Sequence, residues 1–93
     1  MRLVGKDLLA KFANKHADIR GPLNAWVLEG EEAKWTGPAD IKARYPSASF
    51  LDDNRVIFNI KGNTYRIETK VSYEITVVLI KRVGTHAEYS KWS

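Results

Sequence analysis

The stretch that decides the fold is Arg55-Val56-Ile57-Phe58-Asn59-Ile60-Lys61-Gly62-Asn63-Thr64-Tyr65-Arg66-Ile67-Glu68-Thr69-Lys70-Val71. Val56, Phe58 and Ile60 alternate with Arg55, Ile57 and Asn59, which is the period of a strand. Lys61-Gly62-Asn63 has the composition of a tight turn. Alternation then resumes, with Tyr65, Ile67 and Val71 on one side and Thr64, Arg66, Glu68 and Lys70 on the other. Ser72-Tyr73-Glu74 turns the chain again, and Ile75 to Val83 is nearly all apolar, as expected of a central strand covered on both faces. These segments predict a three-strand antiparallel meander, with Ser47–Leu51 and Arg2–Val4 as candidates for a fourth and fifth strand.

Upstream of the meander the period is helical. Leu8, Leu9 and Phe12 mark one face of a first helix, expected to fray around Asn14 to His16. Asp18 is the expected N-cap of a second helix, with Pro22 in its first turn and Ile19, Leu23, Trp26 and Val27 as its core-facing stripe. Gly30 weakens the end of that helix and Thr36-Gly37-Pro38 breaks it; a short third helix runs from Pro38 to Arg44, stopped by Pro46. After the sheet, Thr85 and Glu88 form a capping-box pattern that predicts a short C-terminal helix carrying Tyr89, Lys91 and Trp92. Helices in the first half and strands in the second predict an α+β fold.

A chain of 93 residues supports one domain, residues 1–93, with one core. The absence of cysteine excludes disulfides, thiolate metal sites and a cysteine nucleophile, and makes a reducing cytoplasm the expected compartment. Charge enters at Arg2, Lys6 and Asp7 before any long apolar run, so no signal peptide is expected. No window approaches the ~18 apolar residues of a membrane span. His16 and His86 cannot form an HxxxH or HExxH pair, and no glycine-rich phosphate loop occurs, so neither metal nor cofactor is expected. The net charge of +4 and pI near 9.5 fit a polyanionic partner, or ordinary solubilising charge.

The chemistry left to such a chain sits at one end of the sheet. Arg66 lies mid-strand opposite Tyr65 and Ile67, and Arg82 lies near a strand end opposite Val83. His86, Tyr89 and Lys91 follow within one or two turns. If Arg66 and Arg82 share a face, two guanidinium groups, an imidazole, a phenol and an ammonium converge. That set suits cleavage of RNA by its own 2′-hydroxyl, which needs a base, an acid and cations for the phosphorane charge but no protein nucleophile or metal. Each member also has an ordinary place: arginines on a solvated strand face, a histidine at a helix start, a tyrosine with a wet hydroxyl, a lysine near the terminus. Lys11, Lys15, Lys42 and Arg44 read as exposed helix faces that could also contact phosphates.

Three segments together resemble the HigB toxins of the RelE-like superfamily of type II toxin–antitoxin systems. They are Ile41-Lys42-Ala43-Arg44-Tyr45-Pro46-Ser47-Ala48-Ser49, Asn54 to Arg66 with the phrase FNIKGNTYR, and Val83-Gly84-Thr85-His86-Ala87-Glu88-Tyr89. The resemblance extends over essentially the whole chain. It implies a compact toxin that cleaves messenger RNA, typically on translating ribosomes, and a helix-turn-helix antitoxin that neutralises it. Asn59, Lys61, Asn63, Arg66, His86 and Tyr89 fall inside the matched segments, while Arg82 and Lys91 flank them. Two other functions stay open at this level: an RNA- or ribosome-binding module that blocks translation by occupancy, and a protein-interaction domain with a basic face.

Overall fold

A computed structural model describes residues 1–92. The elements run β1 (Arg2–Val4), α1 (Lys6–Lys15), a 3-10 turn (Ala17–Ile19), α2 (Arg20–Glu32), α3 (Pro38–Arg44), β2 (Ser49–Phe50), β3 (Arg55–Ile60), β4 (Tyr65–Ser72), β5 (Val77–Thr85) and α4 (His86–Tyr89). The five strands form one mixed sheet in the order β1-β5-β4-β3-β2. The β3–β4–β5 meander is antiparallel, β2 extends it at one edge, and β1 adds to the other edge in parallel with Val77–Leu79. The α+β expectation therefore holds, with the helices gathered in the first half.

The core lies between the helices and one face of the sheet. Leu9, Ile19, Leu23, Trp26 and Ile41 pack there against Val56, Phe58, Ile60, Ile67, Val71, Val78 and Ile80. Trp26 meets Phe58 edge to face at 5.2 Å between centroids, a geometry that adds to its area burial. Gly30 serves packing: a side chain there would meet the methyl groups of Leu3 at 3.3 and 3.4 Å, so glycine lets β1 approach α2, and the helix runs on to Glu32. Among the described residues, no helix is long and apolar enough to cross a membrane.

Four local expectations are corrected. Asp18 does not cap α2; it sits in the 3-10 turn, and its carboxylate accepts from Lys61 Nζ at 2.7 Å and from the Tyr65 hydroxyl at 2.9 Å. A long-range partner with a charge outcompetes a local backbone N–H. The central strand is β4, not β5. β4 is buried along almost its whole length despite its charges, whereas Leu79, Lys81 and Arg82 of β5 are exposed. Ile75 lies in the turn before β5 and is 67 % exposed. Finally, α4 ends at Tyr89, so Lys91 and Trp92 follow the helix rather than ride on it.

One irregularity sets the facing of the site. Glu68 pairs with Arg82 but Thr69 pairs with Ile80, leaving Lys81 without a partner as a β-bulge. Before the bulge Val78 and Ile80 point into the core; after it, Val83 does, opposite Ile67, and Arg82 is delivered to the other face beside Glu68.

Candidate functional site

The face of the sheet away from the helices carries Arg66 and Glu68 of β4 with Arg82 and Gly84 of β5, cross-strand neighbours in register. Arg66 is 8 % exposed and Glu68 5 %, and both are satisfied. The Arg66 guanidinium donates to the backbone carbonyl of Asn63 at 2.8 Å and lies 3.0 Å from His86 Nδ1. Its carbon sits 5.2 Å from the centroid of the Tyr89 ring, a cation–π contact. A guanidinium has only donors, so Nδ1 accepts and the imidazole proton falls on Nε2, pointing an N–H away from Arg66.

A second group adjoins the first. Arg82 Nε donates to one Glu68 oxygen, and Arg55 Nη1 lies 3.6 Å from the other. The Arg82 guanidinium stacks over Trp92 at 4.6 Å and donates to the Trp92 carbonyl at 3.2 Å. The two groups meet at Tyr89, whose ring contacts Trp92 edge to face at 5.5 Å. A cleft of about 340 Å³ opens here between Leu51, Arg55, Glu68, Arg82, Tyr89 and Trp92.

The local sequence accounts for this placement. The Thr85 side chain accepts from the Glu88 N–H, and the Glu88 carboxylate accepts from the Thr85 N–H at 2.8 Å, so α4 begins where the capping box requires. These contacts, the Thr85 N–H first, hold the Glu88 carboxyl below its ordinary value. The His86 N–H donates to the Thr64 carbonyl at 3.0 Å, tying the helix start to the start of β4. Gly84 leaves room for the Trp92 ring: a Cβ there would stand 2.7 Å from that ring.

Of the predicted set, Arg66, His86 and Tyr89 are brought into contact, and Arg82 joins them through Tyr89 and Trp92. Lys91 is exposed beyond α4, and among the described residues its ammonium forms no hydrogen bond or ion pair. The other predicted cations and amides are dispersed. Asn59 donates to the Ser47 carbonyl at 2.9 Å, and Asn63 contributes its carbonyl to Arg66. Lys42 donates to the Ala48 carbonyl and lies over the Phe50 ring; Arg44 pairs with Glu29, and Lys61 with Asp18. Arg55, Glu68 and Trp92 were missed as site members. For Arg55 and Glu68 the signal was charge on successive strands, but connecting Glu68 to Arg82 requires the register and the bulge; Trp92, after α4, carried no such signal. Among the described residues, no group of three or more His, Asp or Glu side chains is placed to hold a metal ion.

This arrangement, cations and a polarised imidazole on the open face of a small mixed sheet, coincides with a class defined by sequence. Residues 19–92 match the family model described as HigB_toxin, RelE-like toxic component of a toxin-antitoxin system. The chain belongs to the HigB toxin family. It is 29 % identical over 91 residues to the mRNA interferase toxin HigB of Escherichia coli (strain K12), spanning 96 % of this chain and 88 % of the relative. The mRNA interferases HigB of Escherichia coli O157:H7 and Shigella flexneri match at the same identity and coverage.

Proposed function

We propose that this chain, as a single domain of residues 1–93, is the toxin of a type II toxin–antitoxin pair that cleaves messenger RNA without a metal. The observation that carries the reading is the Arg66 guanidinium joined to His86 Nδ1 at 3.0 Å beside the Tyr89 ring. In the proposed reaction the RNA 2′-oxygen attacks the adjacent phosphorus and gives up its proton to a solvent water. The P–O5′ bond breaks and the 5′-oxygen takes a proton from that water, leaving a 2′,3′-cyclic phosphate and a 5′-hydroxyl. Arg66 and Arg82 meet the charge that grows on the phosphorane oxygens. The His86 Nε2–H, turned outward by the tautomer that Arg66 selects, is a hydrogen-bond donor to those oxygens or to the leaving 5′-oxygen. Tyr89 supplies a phenol and a surface for a base, and Lys91 a further cation at the edge.

Asn59, Lys61, Asn63, Lys42 and Arg44 are assigned to RNA contacts around this centre. Lys61 and Arg44 are held in exposed, solvent-screened ion pairs, which a phosphate can displace. The relatives' names specify messenger RNA as substrate. Cleavage on the translating ribosome, a helix-turn-helix antitoxin of the HigA type and a cytoplasmic location complete the proposal.

The test is translation in vitro with purified protein, mapping message ends by primer extension. Discrete new ends with 2′,3′-cyclic phosphates, lost when the cut nucleotide carries a 2′-deoxy sugar, are expected. Translation arrest with intact message would replace catalysis by occupancy of RNA or ribosome.

A further inference from the structure

A second cationic surface adjoins the cleft and is absent from the site described above. β1 pairs with β5 only at Val77–Leu79, so the β5 edge beyond Ile80 runs on unaccompanied by β1. Between that edge and α1 lies a groove of about 260 Å³. Its floor is apolar, formed by Leu8, Phe12 and Val83, and its walls carry Lys11, Lys15, Lys81 and Arg82. Lys11 and Lys15 are one helical turn apart, with Cβ atoms ~5–6 Å apart by helix geometry, so their ammonium groups form a row. Lys81 is the bulged residue.

These lysines are poorly neutralised. Among the described residues, none of Lys11, Lys15 or Lys81 forms an ion pair. The carboxylates that feel them are engaged elsewhere: Asp53 with Lys70, and Glu88 in the capping box. Gathering like charges on one groove is unfavourable until a polyanion fills it. Arg82 lines both this groove and the cleft, so the two adjoin at its side chain.

We infer that the α1–β5 groove is the track for the RNA strand flanking the scissile bond, with Lys11, Lys15 and Lys81 as its phosphate contacts. This rests on the ribonuclease reading. An extended strand fits better than an isolated anion, because the cations are strung along a groove with an apolar floor on which bases can lie.

The experiment compares wild type, Lys11→Ala/Lys15→Ala/Lys81→Ala and the corresponding triple arginine variant. Affinity for a non-cleavable 2′-O-methyl RNA 20-mer is measured against salt, and cleavage kinetics are measured in parallel. Each lost contact should lower the slope of log affinity against log salt by about 0.7, so the alanine variant should lose about 2. Its KM should rise with kcat unchanged, and the arginine variant should keep the wild-type slope. An unchanged slope in the alanine variant would overturn the assignment. So would a loss of antitoxin affinity with RNA binding intact, since the groove would then belong to a protein. A wild type that binds RNA through these lysines yet never cuts message would sink the ribonuclease reading and leave the groove assignment standing.

Discussion

Arg66→Lys separates geometry from charge at the centre of the proposed site. In the structure one planar guanidinium spans two acceptors, the Asn63 carbonyl at 2.8 Å and His86 Nδ1 at 3.0 Å, while facing Tyr89. An ammonium keeps the charge but is a compact donor that cannot hold both at once. A hydrogen bond involving a charged group contributes about 1.5–3 kcal/mol, so losing one of the two should cost about 2 kcal/mol of stability. For a domain of this size that is a Tm lowered by roughly 8–16 °C, leaving the protein folded at 25 °C. The catalytic loss should be larger. Misplacing a donor aimed at a developing oxyanion costs about 2.7–4 kcal/mol, or ~10²–10³ in kcat, with KM little changed. Cleavage followed by primer extension at saturating and limiting message gives the kcat and KM split, and circular dichroism gives Tm. Wild-type kcat in folded Arg66→Lys would refute the role of the fork. A rate deficit that disappears on cooling would also refute it, by showing that the variant merely unfolds.

His86→Gln retains a hydrogen-bonding side chain but not the rigid ring that holds Nδ1 on Arg66 while aiming Nε2–H outward, so its cleavage should fall by ~10² or more while Tm stays near wild type; an unchanged rate makes His86 structural. Thr85→Ala removes the cap that positions α4 and should cost about 1 kcal/mol, read as a Tm drop of ~4–8 °C, with cleavage reduced as His86 and Tyr89 lose their place. Acid should destabilise the protein from below about pH 4. Asp18 is held low chiefly by Lys61, Glu88 by the Thr85 N–H and Asp53 by Lys70. Depressed carboxyls contribute stability that is full above their unfolded pKa and lost as pH falls through the folded one, so a Tm that rises on acidification contradicts these contacts. Elemental analysis of purified protein should find no stoichiometric zinc or manganese; one ion per chain would overturn the metal-free chemistry.

The β3–β4 hairpin was legible because its alternation and its turn are local properties of the chain. The capping box at Thr85 and Glu88 was legible for the same reason, and so was the Trp26 stripe. What local pattern could not supply was the identity of long-range partners. Asp18 resembles a cap until Lys61 and Tyr65, more than 40 positions away, claim its carboxylate. β4 resembles a half-solvated strand because Arg66 and Glu68 are charged, yet both are buried once His86, Asn63, Arg82 and Arg55 satisfy them. The apolar run before Val83 resembles a central strand, although its first residue lies in a turn and Leu79 stays partly in solvent. His86 and Tyr89 could be grouped from their spacing in the capped helix, and Arg66 joined to them only on the condition of a shared sheet face; Glu68 and Arg55 could not, because their relation to Arg82 depends on the strand register and the bulge.

The unpaired Lys81 makes the site sensitive to parity. Val78, Ile80 and Arg82 are separated by even steps, so an uninterrupted strand would send all three to the same side. Deleting Lys81 would place Arg82 directly after Ile80, and a regular strand would then keep the facing that the bulge now gives. Drawing Lys81 into the ladder as a paired residue would instead drive Arg82 toward the helices and Val83 outward, severing Glu68 from its arginine without altering any side chain in the cleft. Pairing at this one point therefore carries as much information as residue identity. Among variants of the strand, a shift of two residues would preserve the facing that a shift of one destroys.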